Sequence, residues 1–293
     1  MKRVATLILA LVLLCAGSAL AAEPKVFRAD GTPAVPMESN AVRNDYALIV
    51  DGDEVGITVF TSGLTIKDFT GTSIFVYRTE PTELTLDNVH LKSDVVPPRG
   101  QTPLWGYGDL TLTLRNDCTI EGAGSAISIL DEEGTTNLTI LGDGTLHGSE
   151  IGINLQGGDR STANITLGGN VTVSGGRFAF WYTYDYESHN IYIDGANYPG
   201  ISAEAGESSA NAAELEGSPF NAKTDVYEQV NAVKYLRTQW TMPQENLDEE
   251  IVENIENIGN LPKTGDDSRL ALWIMLMGMA GAAMFMLKKR AHN

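Results

Sequence analysis

Residues 112–122 read Leu-Thr-Leu-Arg-Asn-Asp-Cys-Thr-Ile-Glu-Gly, and the same pattern returns as Leu-Thr-Ile-Leu-Gly-Asp-Gly-Thr-Leu-His-Gly at 138–148 and as Ile-Thr-Leu-Gly-Gly-Asn-Val-Thr-Val-Ser-Gly at 165–175. In each stretch, apolar and polar residues alternate, a turn of Gly, Asn or Asp follows, and a second short alternation ends at Gly. Such alternation is typical of a β-strand with one buried face, and Gly, Asn and Asp favour tight turns. The pattern therefore predicts a strand, a turn and a second strand, which together make one turn of a coil.

Five apolar–polar–apolar segments mark the repeat, and they begin at Leu84, Leu112, Leu138, Ile165 and Ile191. Their starts lie 28, 26, 27 and 26 residues apart. A propeller blade needs about 40 residues, and the period of a helix pair is missing between 60 and 200. Stacked coils of this length bury a continuous aliphatic column, because each strand pairs with its equivalents above and below.

These coils resemble the right-handed, single-stranded parallel β-helix, a solenoid of the all-β class. The resemblance covers about 45–200. Less regular first coils are expected at 47–50, 57–60, 64–66 and 73–76. A β-sandwich of short strands is the alternative.

The regions on either side are expected to close the ends of the coil. Residues 22–44 are polar with several Pro residues, and would form an N-terminal cap because exposed strand stacks invite edge pairing. The β-helix domain with its C-terminal cap is predicted over 45–243, with a loop or short helix at 203–217 and a last strand at 233–240. Residues 244–260 are acidic with apolar residues at helical spacing, which fits either an amphipathic helix or a solvated tether.

Both termini carry processing signals. Lys2-Arg3, an apolar run and Ala19-Leu20-Ala21 form the pattern of a secretory signal peptide over 1–21. Near the other end, Leu-Pro-Lys-Thr-Gly at 261–265 precedes an uncharged apolar segment at 270–287 and a basic tail at 288–293. The apolar segment is long enough to cross a membrane as a helix, and the basic tail would stay in the cytoplasm.

This C-terminal order resembles the LPxTG sorting signal of Gram-positive surface proteins, with Leu261, Pro262, Lys263, Thr264 and Gly265 in its five positions. The resemblance implies that a sortase cleaves between Thr264 and Gly265 and joins Thr264 covalently to peptidoglycan. It predicts a secreted protein anchored in the cell wall, whose precursor is held in the membrane transiently by 270–287. An ordinary single-pass membrane anchor is the alternative.

The chain is strongly acidic, with a net charge of −18. Without 1–21 and 265–293, 14 basic and 36 acidic residues remain, a net charge of −22. Such a surface repels phosphate backbones, so nucleic-acid binding is not expected. Because Cys15 would leave with the signal peptide, Cys118 alone remains, and burial rather than a disulfide has to stabilise the fold.

Aromatic residues beside polar ones form the candidate ligand site. Alignment with the preceding coil predicts that Phe178, Phe180 and Tyr182 point inward and leaves their neighbours outward. Flat rings stack on the apolar faces of sugars while polar groups bond to hydroxyls. The candidate ligand-binding residues are Trp181, Tyr184, Asp185, Tyr186 and Arg177, with Trp105 and Tyr107 in an insertion at 95–108. Bulky residues that simply fill a widening last coil are the alternative.

Acidic turns form the candidate metal site. Asp131 and Asp159 occupy equivalent turns of successive coils, so they could share a Ca²⁺ ion, which prefers carboxylate oxygens. A solvated acidic face is the alternative, and no other cofactor is expected.

Two further polar patterns are interpreted as structural. His147 aligns with Glu121 and Ser174 in the neighbouring coils, which predicts an ordinary exposed strand position. Three Asn-x-Thr triplets are interpreted as turns rather than as glycosylation sites, and they begin at Asn137, Asn164 and Asn170.

The sequence favours a non-catalytic surface protein that binds plant or host polysaccharide or acts as an adhesin. Calcium-dependent, acid-sugar-binding β-helix modules of bacterial surfaces are the nearest resemblance. The alternative is a surface polysaccharide lyase or glycoside hydrolase of the pectin-degrading β-helix type. Those hydrolases carry Asn-Thr-Asp and Arg-x-Lys segments, and this sequence has neither, so no catalytic residue is predicted.

Overall fold

A computed structural model describes residues 24–37, 44–51, 54–77, 80–94, 102–131, 134–157, 162–183 and 187–242. These residues are nearly all β and form a β-solenoid of about four turns, which confirms the all-β solenoid prediction. The predicted signal peptide, the 244–260 segment, the sorting motif and the 270–287 segment lie outside the described residues. Within the described ranges, no helix is long and apolar enough to cross a membrane.

The longest strands have 12 to 14 residues and lie in the middle of the chain. In chain order they are β1 (Lys25–Phe27), β2 (Tyr46–Asp51), β3 (Glu54–Val59), β4 (Leu64–Gly71), β5 (Ser73–Val76), β6 (Thr82–Ser93), β7 (Leu104–Tyr107), β8 (Leu110–Gly122), β9 (Ser125–Asp131), β10 (Thr135–Gly148), β11 (Ile151–Gly157), β12 (Thr162–Gly175), β13 (Phe178–Thr183), β14 (Ser188–Asp194), β15 (Ser202–Gly206), β16 (Ala213–Glu214), β17 (Lys223–Asp225) and β18 (Tyr235–Gln239). A single helical turn, α1 (Tyr227–Val230), precedes the last strand. Strand β7 lies within the predicted insertion at 95–108, so part of that segment belongs to a coil.

Two parallel ladders run along the solenoid. The long ladder consists of β4, β6, β8, β10, β12 and β14, and the short ladder consists of β3, β5, β7, β9, β11 and β13. Successive coils contribute one strand to each ladder, so equivalent residues stack at about 4.8 Å intervals along the axis. A side chain that points outward therefore has an equivalent outward neighbour in the next coil.

The core is a stack of aliphatic columns. One column in the long ladder contains Leu64, Leu84, Leu112, Ile140, Leu167 and Ile193, which lie opposite one another in successive strands. None of these side chains is more than 1% exposed. Burial of each contributes roughly 1.5–3 kcal/mol to folding, so the columns stabilise the fold without a disulfide.

The strands of the long ladder bend in the middle, where the chain takes up the left-handed conformation. The residues with positive φ there are Asp68, Asn88, Asn116, Asp117, Gly142 and Gly169. Gly, Asn and Asp tolerate this conformation better than other residues, which explains the turn residues in the middle of each repeat. The bend divides each long strand into two faces of the coil.

The register between β8 and β10 differs from the prediction. Leu138 was expected opposite Leu112, but it pairs with Leu110. The second halves pair as predicted, with Gly122 opposite Gly148, because β8 has two additional residues at its bend. A shift of two residues keeps every side chain on its original face, so the core pattern survives the error.

Antiparallel strands close both ends. At the N-terminal end, β1 pairs with β4 and β2 pairs with β3. At the other end, β18 pairs with both β12 and β15, which confirms the predicted last strand. The prediction of a loop or helix at 203–217 is wrong in part, because β15 and β16 form a short antiparallel pair there.

Candidate ligand-binding face

One row of side chains runs along the outer face of the short ladder. Its members lie opposite one another in six successive strands and are Thr58, Phe75, Trp105, Ser128, Asn154 and Trp181. We call this set the axial row. It contains Trp105 and Trp181, two candidate residues that come from separate segments of the sequence.

Aromatic rings crowd the N-terminal part of this face. Phe75 stacks on Trp105 with ring centroids 4.5 Å apart and an interplanar angle of 13°. Tyr107 meets Phe75 edge to face at 5.9 Å, and Tyr77, which is 49% exposed, meets Phe75 at 5.6 Å. These contacts hold the rings in fixed orientations, and we call Phe60, Phe75, Tyr77, Trp105 and Tyr107 the aromatic platform.

The middle of the face is polar and uncharged. Gln156 Nε2 donates to Ser128 Oγ at 2.6 Å, and Thr183 Oγ1 donates to Asn154 Oδ1 at 2.9 Å. Each bond joins neighbouring coils, so the amides are oriented before any ligand arrives. Their remaining donors and acceptors can bond to the hydroxyls of a ligand.

Trp181 marks the C-terminal end of the axial row. It is 41% exposed, and its ring lies 4.8 Å from that of Phe178 at an interplanar angle of 27°. The exposed Arg177 guanidinium lies 5.8 Å from the Phe178 ring. Three coil intervals separate Trp105 from Trp181, which is about 14 Å at 4.8 Å per coil.

Phe178 departs from the predicted inward orientation. It pairs with Ile151 as expected, but it is half-buried and its ring packs on the outward Trp181. The chain bends at Gly176 and Arg177, directly before β13, so regular alternation begins only after this residue. Phe180 is buried as predicted.

A second ring cluster lies at the end of β13. The Tyr182 ring is 4.4 Å from that of His189, and His189 stacks on Tyr227 at 5.5 Å. Burial lowers the pKa of His189, so its imidazole is neutral at pH 7. Tyr182 packs against the core as predicted, while remaining partly exposed.

Several predicted residues cannot be assigned to this face. Tyr184, Asp185, Tyr186 and Asp159 lie outside the described residues. Asp131 ends β9, and its side chain is likewise outside them. Among the side chains that are described, no group of three or more His, Cys, Asp or Glu residues could hold a metal ion.

The long ladder shows what the remaining polar patterns do. His147 pairs with Glu121 and Ser174, and its Nδ1 lies 2.9 Å from Ser174 Oγ on the exposed surface. Asn137 lies in β10 and Asn164 lies in β12, so neither is in a turn. The Asn164 side-chain amide donates to Asn137 Oδ1 at 2.9 Å, which joins the two neighbouring coils. The interpretation of these two asparagines as turn residues is therefore wrong.

The sequence alone identifies only some of the residues on this face. Phe75 and Tyr77 belong to an irregular early coil, and nothing in their spacing indicated that they meet Trp105 and Tyr107. Comparison of the chain with known protein families, with curated proteins and with solved structures found no significant match.

Proposed function

We propose that the protein is a cell-wall-anchored, non-catalytic surface protein that displays a right-handed, single-stranded parallel β-helix to bind carbohydrate. The observation that carries the proposal is the axial row, in which indole rings at two levels flank the Asn154 amide, which a hydrogen bond from Thr183 orients. Sugar rings stack their apolar faces on aromatic rings, and their hydroxyls bond to amides and hydroxyls. A polysaccharide that lies along the axis can contact both indoles at once.

The uncharged middle of the face favours a neutral region of the glycan. Asn154 and Gln156 carry no charge and lie on the strand between the levels of the two indoles, and Ser128 beside them is only 2% exposed. Secretion and wall anchoring are proposed from the signal-peptide pattern at 1–21 and the pentapeptide at 261–265. Together these features favour a protein that holds a cell against a plant or host polysaccharide.

Retention on insoluble glycans tests the proposal. The purified full-length protein is incubated with cellulose, xylan, mannan, pectin and mucin, and the bound fraction is measured. We expect retention on at least one glycan, and we expect Trp105→Ala and Trp181→Ala each to weaken it about tenfold, because each removes one stacking surface. Val35→Ala, which removes an exposed apolar side chain in the N-terminal segment, should leave retention unchanged.

Two results would contradict this function. Release of unsaturated or reducing sugar ends during the incubation would show an enzyme of the lyase or hydrolase type instead. If no glycan retains the protein, the carbohydrate-binding proposal is wrong. Adhesion to a protein would then be the role of the solenoid on the cell surface.

A further inference from the structure

A groove of about 420 Å³ runs over the outer face of the long ladder, away from the axial row. Pockets of this size are typical of small-molecule sites. Nine of its ten lining residues have polar side chains, among them Glu83, Thr111, Thr139, Thr166 and Lys223. None of the candidate ligand-binding or metal residues from the sequence lies in it.

The floor of the groove is a row of side chains in register. Glu83, Thr111, Thr139 and Thr166 lie opposite one another in β6, β8, β10 and β12. Three hydroxyls therefore follow one another at about 4.8 Å intervals. Within the described part of the chain, none of the three makes a hydrogen bond.

Thr166 is the most informative of these residues. It lines the groove although it is only 6% exposed, and its hydroxyl has no partner among the described residues. Its hydroxyl is not among the buried polar atoms cut off from solvent, so it is open to the groove and can bond to water there. A ligand hydroxyl in the groove can take the place of that water.

The two ends of the groove carry opposite charges. Lys223 lies at the end near β14, with its Nζ 4.4 Å from the centre of the Tyr192 ring, and Tyr192 is the register neighbour of Thr166. Lys223 forms no ion pair with any described carboxylate. Glu83 lies at the opposite end, and its carboxylate also has no ion pair with any described residue. The chain is strongly acidic, yet within the described residues this ammonium group has no ion pair and lies beside hydroxyls without hydrogen bonds. It therefore favours a ligand with an anionic group at the Lys223 end of the groove.

The side wall of the groove is already satisfied. Asp109 accepts hydrogen bonds from the Asn137 backbone N–H at 2.8 Å and from the Asn137 side chain at 3.0 Å, and Asn137 Oδ1 accepts from Asn164. These bonds fix the wall and leave the threonine hydroxyls, Glu83 and Lys223 as the groups open to a ligand. The side wall of the groove is therefore held by its own hydrogen bonds, while the floor and the two ends remain open to a ligand.

We propose that this groove is a second binding site, for a hydroxyl-rich saccharide that carries an anionic group at the end near Lys223. The saccharide hydroxyls bond to Thr111, Thr139 and Thr166 along the floor. The anionic group pairs with the Lys223 ammonium, and Glu83 accepts hydrogen bonds from hydroxyls at the far end. The site is independent of the aromatic platform, since the two share no residue.

Calorimetric titration of the full-length protein tests the site with two probes, a trisaccharide with one terminal uronic acid and its methyl ester. The ester keeps every hydroxyl but lacks the charge. We expect the acid to bind about tenfold more tightly than the ester at low salt. Lys223→Met should lower the affinity for the acid to that for the ester. Thr166→Val should lower the affinity for both probes.

Matched controls separate the site from general effects. Lys92→Met removes an exposed lysine elsewhere on the long ladder, and Thr145→Val removes an exposed hydroxyl outside the groove; neither should change either affinity. In a Trp181→Ala background, Lys223→Met should still remove the difference in affinity between acid and ester, so failure of the proposed function on the axial row would be seen separately. The proposal is overturned if neither probe binds, if acid and ester bind equally to the unchanged protein, or if Lys223→Met and Thr166→Val have no effect.

Discussion

Gly142 shows how a single backbone position fixes the course of a coil. Its φ is +95°, and a Cβ at this position would collide with the carbonyl oxygen of Leu114 in the preceding coil. We expect Gly142→Ala to lower the free energy of unfolding by about 2–4 kcal/mol, because the left-handed conformation and the collision both oppose the methyl group. Chemical denaturation followed by circular dichroism measures the change.

Gly134 provides the matched control for that substitution. Its φ is +100°, yet no heavy atom lies within 4 Å of the position its Cβ would take. Gly134→Ala should therefore cost only the conformational part, about 1–2 kcal/mol. Equal losses in the two variants would show that close stacking of the coils at Gly142 does not matter.

At the scale of the element, the bend of each long strand is held by polar side chains of the neighbouring coils. The Asn116 side chain donates to Asp87, and Lys67 Nζ lies 3.0 Å from Asp87 Oδ2. Burial alone would raise the pKa of Asp87, but the Asn116 hydrogen bond and the Lys67 charge outweigh it and hold this pKa below its ordinary value. The bends of β4, β6 and β8 are thus joined through one carboxylate.

This arrangement predicts acid-sensitive stability. A carboxyl whose pKa is lower in the folded state stabilises the fold fully above the unfolded pKa of about 3.9, and the contribution is lost as the pH falls through the folded pKa. Asp87→Asn should lower the free energy of unfolding at pH 7 by about 1 kcal/mol, and its difference from the unchanged protein should shrink below about pH 4. Urea denaturation at pH 7, 5 and 3 measures this dependence.

Lys67→Met tests the cause that is assigned to the pKa of Asp87. With the ammonium removed, the stability of the variant should also fall at pH 7 and approach that of the unchanged protein in acid. A loss that is the same at every pH would indicate that packing of the lysine side chain, rather than its charge, supports the bend.

The elements were predictable from the sequence to the extent that each pattern was local. Apolar–polar–apolar segments identified the strands β6, β8, β10, β12 and β14, because side chains on a pleated strand alternate in direction. The register of β8 was not predictable, because Asn116-Asp117 and Gly142 both suit a left-handed bend although one bend has two more residues. Strand β7 was missed because its short Leu-Trp-Gly-Tyr sequence shows little apolar–polar alternation.

At the scale of the whole molecule, the two proposed sites depend on contacts that no local pattern contains. Trp105 and Trp181 lie in one row only because the registers of three successive strand pairs align them. The groove needs Lys223, which a strand far along the chain brings beside Tyr192. An outward threonine such as Thr166 looks in the sequence like any other exposed strand position, so its burial could not be predicted.

The proposed anchoring signal gives the last prediction at this scale. In the proposed anchoring, a sortase attacks the carbonyl of Thr264 within the 261–265 pentapeptide. Thr264→Ala should then prevent transfer to peptidoglycan and move the protein from the wall fraction to the membrane fraction or the medium. Ser268→Ala, a change of similar size just outside the pentapeptide, should leave it in the wall. Fractionation of Gram-positive cells after muramidase digestion makes the comparison. If the Thr264→Ala protein still requires muramidase for release, the pentapeptide is not the anchor, and display of the solenoid must depend on the apolar segment at 270–287 instead.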